Sequence, residues 1–143
     1  MQVKDIMTQA LDKIESTASL TEAAKHMSYR DVGILPVSKA DQIVGVITDR
    51  DIVIRGLAQD KQPGQTTVSE VMTTNLIFCS EGDDIHEAGK LMEEKQVRRL
   101  LVSDQNDKLV GVLSLGDLAA KCGEDIFSGE VLEAISEPAT PLR

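Results

Sequence analysis

The chain repeats itself, and no other feature of the sequence constrains its fold as much. Val3, Met7 and Thr8 recur 65 residues later as Val68, Met72 and Thr73. Ala23 and Met27 meet Ala88 and Met92 at the same spacing, and Val32, Leu35 and Val37 meet Val97, Leu100 and Val102. One inserted residue then moves the offset to 66, where Gly45-Val46 meets Gly111-Val112 and Asp51 meets Asp117. So many matches in one order mean two copies of one supersecondary unit. Each copy, about 60 residues long, is too small to bury much surface alone, so the two are expected to pack face to face.

The hydrophobic period changes in the same order within each copy. Leu20, Ala23, Ala24 and Met27 follow the stripe of an amphipathic helix, as do Ile85, Ala88, Gly89 and Met92. Ser19 with Glu22, and Asp84 with Glu87, spell N-caps with their third-position partners. Apolar runs follow, Ile34 to Val37 with Ile43 to Ile47 and Leu100 to Val102 with Leu109 to Leu113, joined by polar stretches in the manner of hairpins. A second helix follows near Asp49 to Gln59 and near Leu115 to Cys122, and Leu11 to Ile14 and Leu76 to Cys79 supply a short strand ahead of each first helix. The unit is β-α-β-β-α in an α/β (α+β) class. Residues 1–62 are read as the first repeat, 63–123 as the second, and 124–143 as a C-terminal helix (Glu124 to Ile135) with a Pro138/Pro141 tail.

Composition narrows the function. A formal charge of −9 opposes binding to a phosphate backbone, and Tyr29, Phe78 and Phe127 are too few aromatics for base stacking, so no nucleic-acid partner is expected. No apolar run reaches the length of a signal or membrane span, which predicts a cytoplasmic protein with no membrane partner. Cys79 and Cys122 form no Cys-x-x-Cys pair, and His26 and His86 have no ligands at metal spacing, so no metal is expected. No serine, cysteine or lysine has a base and oxyanion pattern beside it, and the chain is read as not an enzyme.

Thr48-x-x-Asp51 and Ser114-x-x-Asp117 open the second helices. Taken singly, each is the spelling of a capping box. Their recurrence beside Gly45 and Gly111 points to binding, because a helix start offers N–H groups to a phosphate and a carboxylate one turn in accepts from ribose hydroxyls. The glycines suit either a close approach or a hairpin. Arg98 and Arg99 are adjacent on an entering strand, so alternation lets only one of them face a cleft. Arg50 and Arg55 read as solvated charge. Ile52, Val53, Ile54 and Leu57 carry more apolar surface than one stripe needs, which predicts both packing between the repeats and a homodimer.

The paired Gly-x-x-Thr/Ser-x-x-Asp pattern after a hairpin, with Thr48 to Leu57 and Gln96 to Leu100, resembles tandem cystathionine-β-synthase-type (CBS) domains over residues 1 to 122. That resemblance implies two pseudo-twofold related units and a cleft between them for AMP, ADP, ATP, NAD or S-adenosylmethionine. It implies ribose bonds to Asp51 and Asp117, phosphate beside Thr48 and Ser114, and Arg99 as a phosphate partner. Adenine would lie against the strands that hold Ile14 and Cys79 and against Pro36 and Leu101. The second copy has Leu101 where Pro36 stands in the first, and the first has Gly33-Ile34 where the second has Arg98-Arg99, so the two sites are expected to differ. The expected function is a regulatory sensor with an adenosyl ligand, no required cofactor and an unidentified regulated protein. Its rival is a ligand-free dimerisation or scaffold module.

Overall fold

In the computed structural model, which describes residues 1–9, 12–121 and 125–136, the chain forms two compact units. One is continuous, Asp12–Leu76; the other joins the first residues of the chain to the stretch from Ile77 onward. Packing units and sequence repeats therefore do not coincide, because each unit takes a short segment from the other repeat.

The Asp12–Leu76 unit holds β2 (Ile14–Glu15), α2 (Leu20–Arg30), β3 (Ile34–Lys39), β4 (Gln42–Thr48) and α3 (Val68–Val71). Its sheet has the order β2-β3-β4, with β2 parallel and β4 antiparallel to β3. The other unit holds α1 (Val3–Ile6), β1 (Thr8–Gln9), β5 (Phe78–Ser80), α4 (Ile85–Lys95), β6 (Arg99–Ser103), β7 (Leu109–Ser114), α5 (Leu115–Lys121) and α6 (Asp125–Ser136), with sheet order β1-β7-β6-β5. The expected β-α-β-β-α succession is present twice. Both hairpins shift register at matched places, Val37/Ser38 and Val102/Ser103. Leu11, Cys122, Glu124 and the Pro138/Pro141 tail, all named above, lie outside the described residues.

The segments that cross over are α1 and α3. Each follows a cap in which a third-position acid accepts the cap residue's own N–H, Asp5 from Gln2 at 2.8 Å and Glu70 from Thr67 at 2.7 Å. Four residues cannot sustain a helix alone, so burial must hold them. Val3 and Ile6 sit in the core with Ile85, Met92, Leu100 and Leu113, while Val68 and Val71 sit with Leu20, Leu35, Val37 and Ile47. At about 1.5–3 kcal/mol for each buried aliphatic side chain, these pairs contribute as much as many longer elements.

Glycine makes the crossover possible. A Cβ on Gly45 would lie 2.7 Å from Met72 Sδ and 2.9 Å from the Thr73 carbonyl oxygen; one on Gly111 would lie 2.6 Å from Met7 Sδ and 2.9 Å from the Thr8 carbonyl oxygen. Of the two readings of these glycines, close approach is the one realised, and the approaching body is the crossing segment. Val46 and Thr73 exchange both backbone hydrogen bonds there, at 2.9 and 2.8 Å.

Pro36 is buried within β3, the middle strand, where a missing N–H ought to cost a ladder bond. Its counterpart Leu101 donates to the Ile77 carbonyl at 2.9 Å. β2 spans only two residues and stops short of that point, whereas β5 spans three.

The second helix of the first repeat departs from a plain α-helix. Residues Asp51–Gly56 wind as a π-helix and Leu57–Gln59 as a 3₁₀ turn, with the Leu57 N–H reaching both Ile52 and Val53 carbonyls. Ile52 enters the core at 9% exposure, so the apolar surplus read from the sequence reduces to Val53, Ile54 and Leu57.

Candidate functional site

The two motifs fold alike. Ser114 ends β7, and its Oγ accepts the Asp117 N–H at 3.0 Å while Asp117 Oδ2 accepts the Ser114 N–H at 2.9 Å. Thr48 and Asp51 make the same reciprocal pair at 3.0 and 3.1 Å. Both acids are nearly buried, Asp51 at 6% and Asp117 at 9% exposure. The capping geometry is thus physically present at both helix starts. It leaves part of each carboxylate's acceptor capacity for other partners.

Those partners differ between the units. The Thr73 hydroxyl donates to both Asp51 oxygens, at 3.2 and 3.1 Å, and Arg55 Nε stands 3.8 Å from Oδ1. Asp117 instead meets Lys121 Nζ at 3.2 Å, and Lys121 also reaches the Ile6 carbonyl at 3.3 Å. Arg55 likewise donates to the carbonyls of Val71 and Met72, at 3.4 and 3.3 Å. A cation four residues after each motif acid therefore ties that acid to the last turn of the crossing helix, where carbonyls lack partners. Arg55, read above as solvated charge, is a tether. The signal was available, since Arg55 and Lys121 align at the offset of 66.

Arg99 opens β6 and is opposite Ser114 in the antiparallel register. Both line a pocket of about 670 Å³ with Arg98, Leu115, Gly116, Ala119, Gly129 and Leu132, a volume in the usual range for small-molecule sites. Both arginines line this pocket for a local reason. β6 begins at Arg99, so Arg98 lies beyond the strand end, where its carbonyl accepts the Leu115 N–H at 2.8 Å and alternation no longer governs its side chain. Gly129 and Leu132 come from α6, which sequence reading identified as a helix without assigning it to a site.

At the aligned place in the other unit stand Gly33 and Asp49. The Asp49 carboxylate lies 2.9 Å from where a Cβ on Gly33 would be, and the Asp49 N–H donates to the Gly33 carbonyl at 3.0 Å. Where one unit has two cations, the other has a carboxylate at the aligned place, so an anion is attracted to the first and repelled by the second.

The remaining expected site residues, Ile14, Pro36, Cys79 and Leu101, are all buried, Ile14 and Cys79 within the cores of their own units. Burial pushes the Cys79 thiol up to about 11, with the nearby Asp83 charge adding to the effect. His86 sits 2.8 Å from Asp84, whose carboxyl is held below its usual range first by the His86 backbone N–H and then by its ring. Among the described residues no three His, Cys, Asp or Glu side chains group as a metal cage, and no helix is long and apolar enough to cross a membrane.

A duplicated β-α-β-β-α unit with paired hydroxyl-x-x-Asp caps defines a tandem-repeat α/β architecture. The chain belongs to the CBS domain family, whose model matches residues 3–57 and 68–124. It is 40% identical over 134 residues to the CBS domain-containing protein YhcV of Bacillus subtilis, covering 94% of each chain. It is 34% identical over 136 residues to hypoxic response protein 1 of Mycobacterium tuberculosis, again covering 94% of each. A crystal structure of CBSX2 in complex with AMP superposes with a TM-score of 0.69 at 25% identity, over 85% of this chain and 95% of that one.

Proposed function

We propose that the chain is a non-catalytic regulatory module that binds an adenine nucleotide, with the phosphate held in the pocket of Arg98, Arg99 and Ser114. The observation that carries this reading is the convergence of two arginines and a helix-start hydroxyl in one pocket on a molecule of net charge −9. Such a surface repels anions at long range, so an anionic ligand needs a local cationic cluster of this kind. AMP bound to the family member CBSX2 supports the ligand class. Asp117, one turn into α5, is the ribose partner in this reading, and AMP, ADP, ATP, NAD and S-adenosylmethionine are the ligands to compare.

The exposed Val53, Ile54 and Leu57, at 51, 44 and 51%, favour a second and compatible role in homodimerisation. A ligand-free scaffold would use the same surface without the pocket.

The test is calorimetry with AMP and adenosine on wild type and Arg99→Ala. A lost charge-assisted contact of ~1.5–3 kcal/mol weakens AMP about 10- to 150-fold, and adenosine hardly changes. Equal losses for both ligands assign Arg99 to packing. No binding of any of the five ligands by wild type leaves the scaffold reading.

A further inference from the structure

We propose that α6 is the specificity wall of the Arg98–Arg99–Ser114 pocket, with Gly129 and Leu132 receiving the base of the bound nucleotide; this rests on the nucleotide reading above. All of α6 lies beyond the family match, which ends at 124, and among the described residues the first repeat has no counterpart to it. Its pose is set by its own anchors. Val131 and Ile135 are buried at 0 and 8% exposure, and Gln96 Nε2 donates to the Ala134 carbonyl at 2.7 Å. Gly129 and Leu132, three apart and so on one face, are left to line the pocket, with Leu132 half exposed.

The pocket's lining is consequently of two kinds. Arg98, Arg99 and Ser114 supply charge and a hydroxyl; Leu115, Ala119 and Leu132 supply apolar surface. An inorganic anion would use only the first kind, whereas a phosphate joined through a sugar to a flat ring uses both.

Gly129 is the second strand of the argument. Glycine inside a helix is less favourable than any residue except proline, so its presence there needs a reason. Among the described residues, nothing beyond its chain neighbours and its own helix backbone lies within 4 Å of an added Cβ, and its backbone is not in the left-handed region, so neither tight packing nor conformation requires it. The space above it belongs to the pocket, and a ring resting on Leu132 would occupy that space.

The experiment measures AMP and ribose 5-phosphate binding by calorimetry, with melting curves, on the full chain as wild type, Leu132→Ala and Gly129→Leu. Ribose 5-phosphate keeps the phosphate and sugar and lacks the base. Leu132→Ala should weaken AMP about 3- to 10-fold and leave ribose 5-phosphate unchanged. Gly129→Leu fills the space and should weaken AMP more than about 10-fold while melting no lower than wild type, since leucine is the better helix former. If wild type binds AMP and both variants bind it equally well, the α6 assignment is overturned and the nucleotide reading survives. Equal losses for both ligands in Leu132→Ala also overturn it, because α6 would then support the arginines rather than the base. If wild type binds no AMP, both readings fall together.

Discussion

Gly45→Ala tests the crossover directly. The added methyl carbon would lie 2.7 Å from Met72 Sδ and 2.9 Å from the Thr73 carbonyl oxygen, where ordinary carbon contacts begin at about 3.5 Å. The methionine side chain can swing aside, but the carbonyl oxygen is backbone and moves only with its strand. Moving it breaks the paired Val46–Thr73 hydrogen bonds, both of 2.9 Å or less. At about 0.5–1.5 kcal/mol each, with strain that replaces part of this loss when the strand stays put, the variant loses about 1–3 kcal/mol. That lowers the melting temperature by about 2–12 °C for a chain of this size. Gly64→Ala is the control, since nothing lies within 4 Å of its added carbon. Differential scanning calorimetry on the three proteins reads both. Melting of Gly45→Ala within a degree of wild type would refute the claim that the crossing segment is pressed against β4.

Asp117→Ala should lower urea stability by about 1 kcal/mol through loss of the cap, while Asp117→Asn restores most of it by still accepting the Ser114 N–H; calorimetry that finds AMP bound normally by Asp117→Asn would reduce the residue to a cap. In a Cys122→Ser background, Cys79 should alkylate with iodoacetamide roughly 100-fold more slowly at pH 8 than a free thiol, because a thiol raised to about 11 has little thiolate there. The same elevation has a stability consequence: the neutral thiol favours the folded state fully below the unfolded value of 9.0, and that contribution is lost as pH rises from there toward about 11. Light scattering at tens of micromolar should give a dimer mass for wild type and a monomer mass for Ile54→Glu, and a wild-type monomer would count against the exposed apolar face as an interface.

Much of the fold is legible in the sequence because the repeated elements are long enough to show a period. The stripe from Leu20 to Met27 and its copy from Ile85 to Met92 define α2 and α4, and their caps mark where each begins. The placement of α1 and α3 is not legible. Four residues carry no period, and where Val3 and Ile6 are buried is a fact about residues some eighty positions away. The site is legible at Arg99 and Ser114, whose register follows from the hairpin. It is not legible at Arg98, because alternation holds only inside a strand and the boundary falls one residue later than the pattern suggests. Nor is it legible at Gly129 and Leu132: amphipathicity identifies a helix and leaves open where that helix packs.

The discontinuous unit also has a consequence in time. Residues 1–9 leave the ribosome well before β7 and α5, whose backbone and side chains complete their surroundings. At roughly 5–20 residues per second, Val3 and Ile6 stay without a core for on the order of 5–20 s, while Asp12–Leu76 already has every segment it needs. The continuous unit is therefore the first that can close, and the other waits for a contact between the earliest and latest parts of the chain. Long-range closure of that kind is slow. A cell that makes this protein must keep one short apolar segment soluble until the rest of its unit has been synthesised.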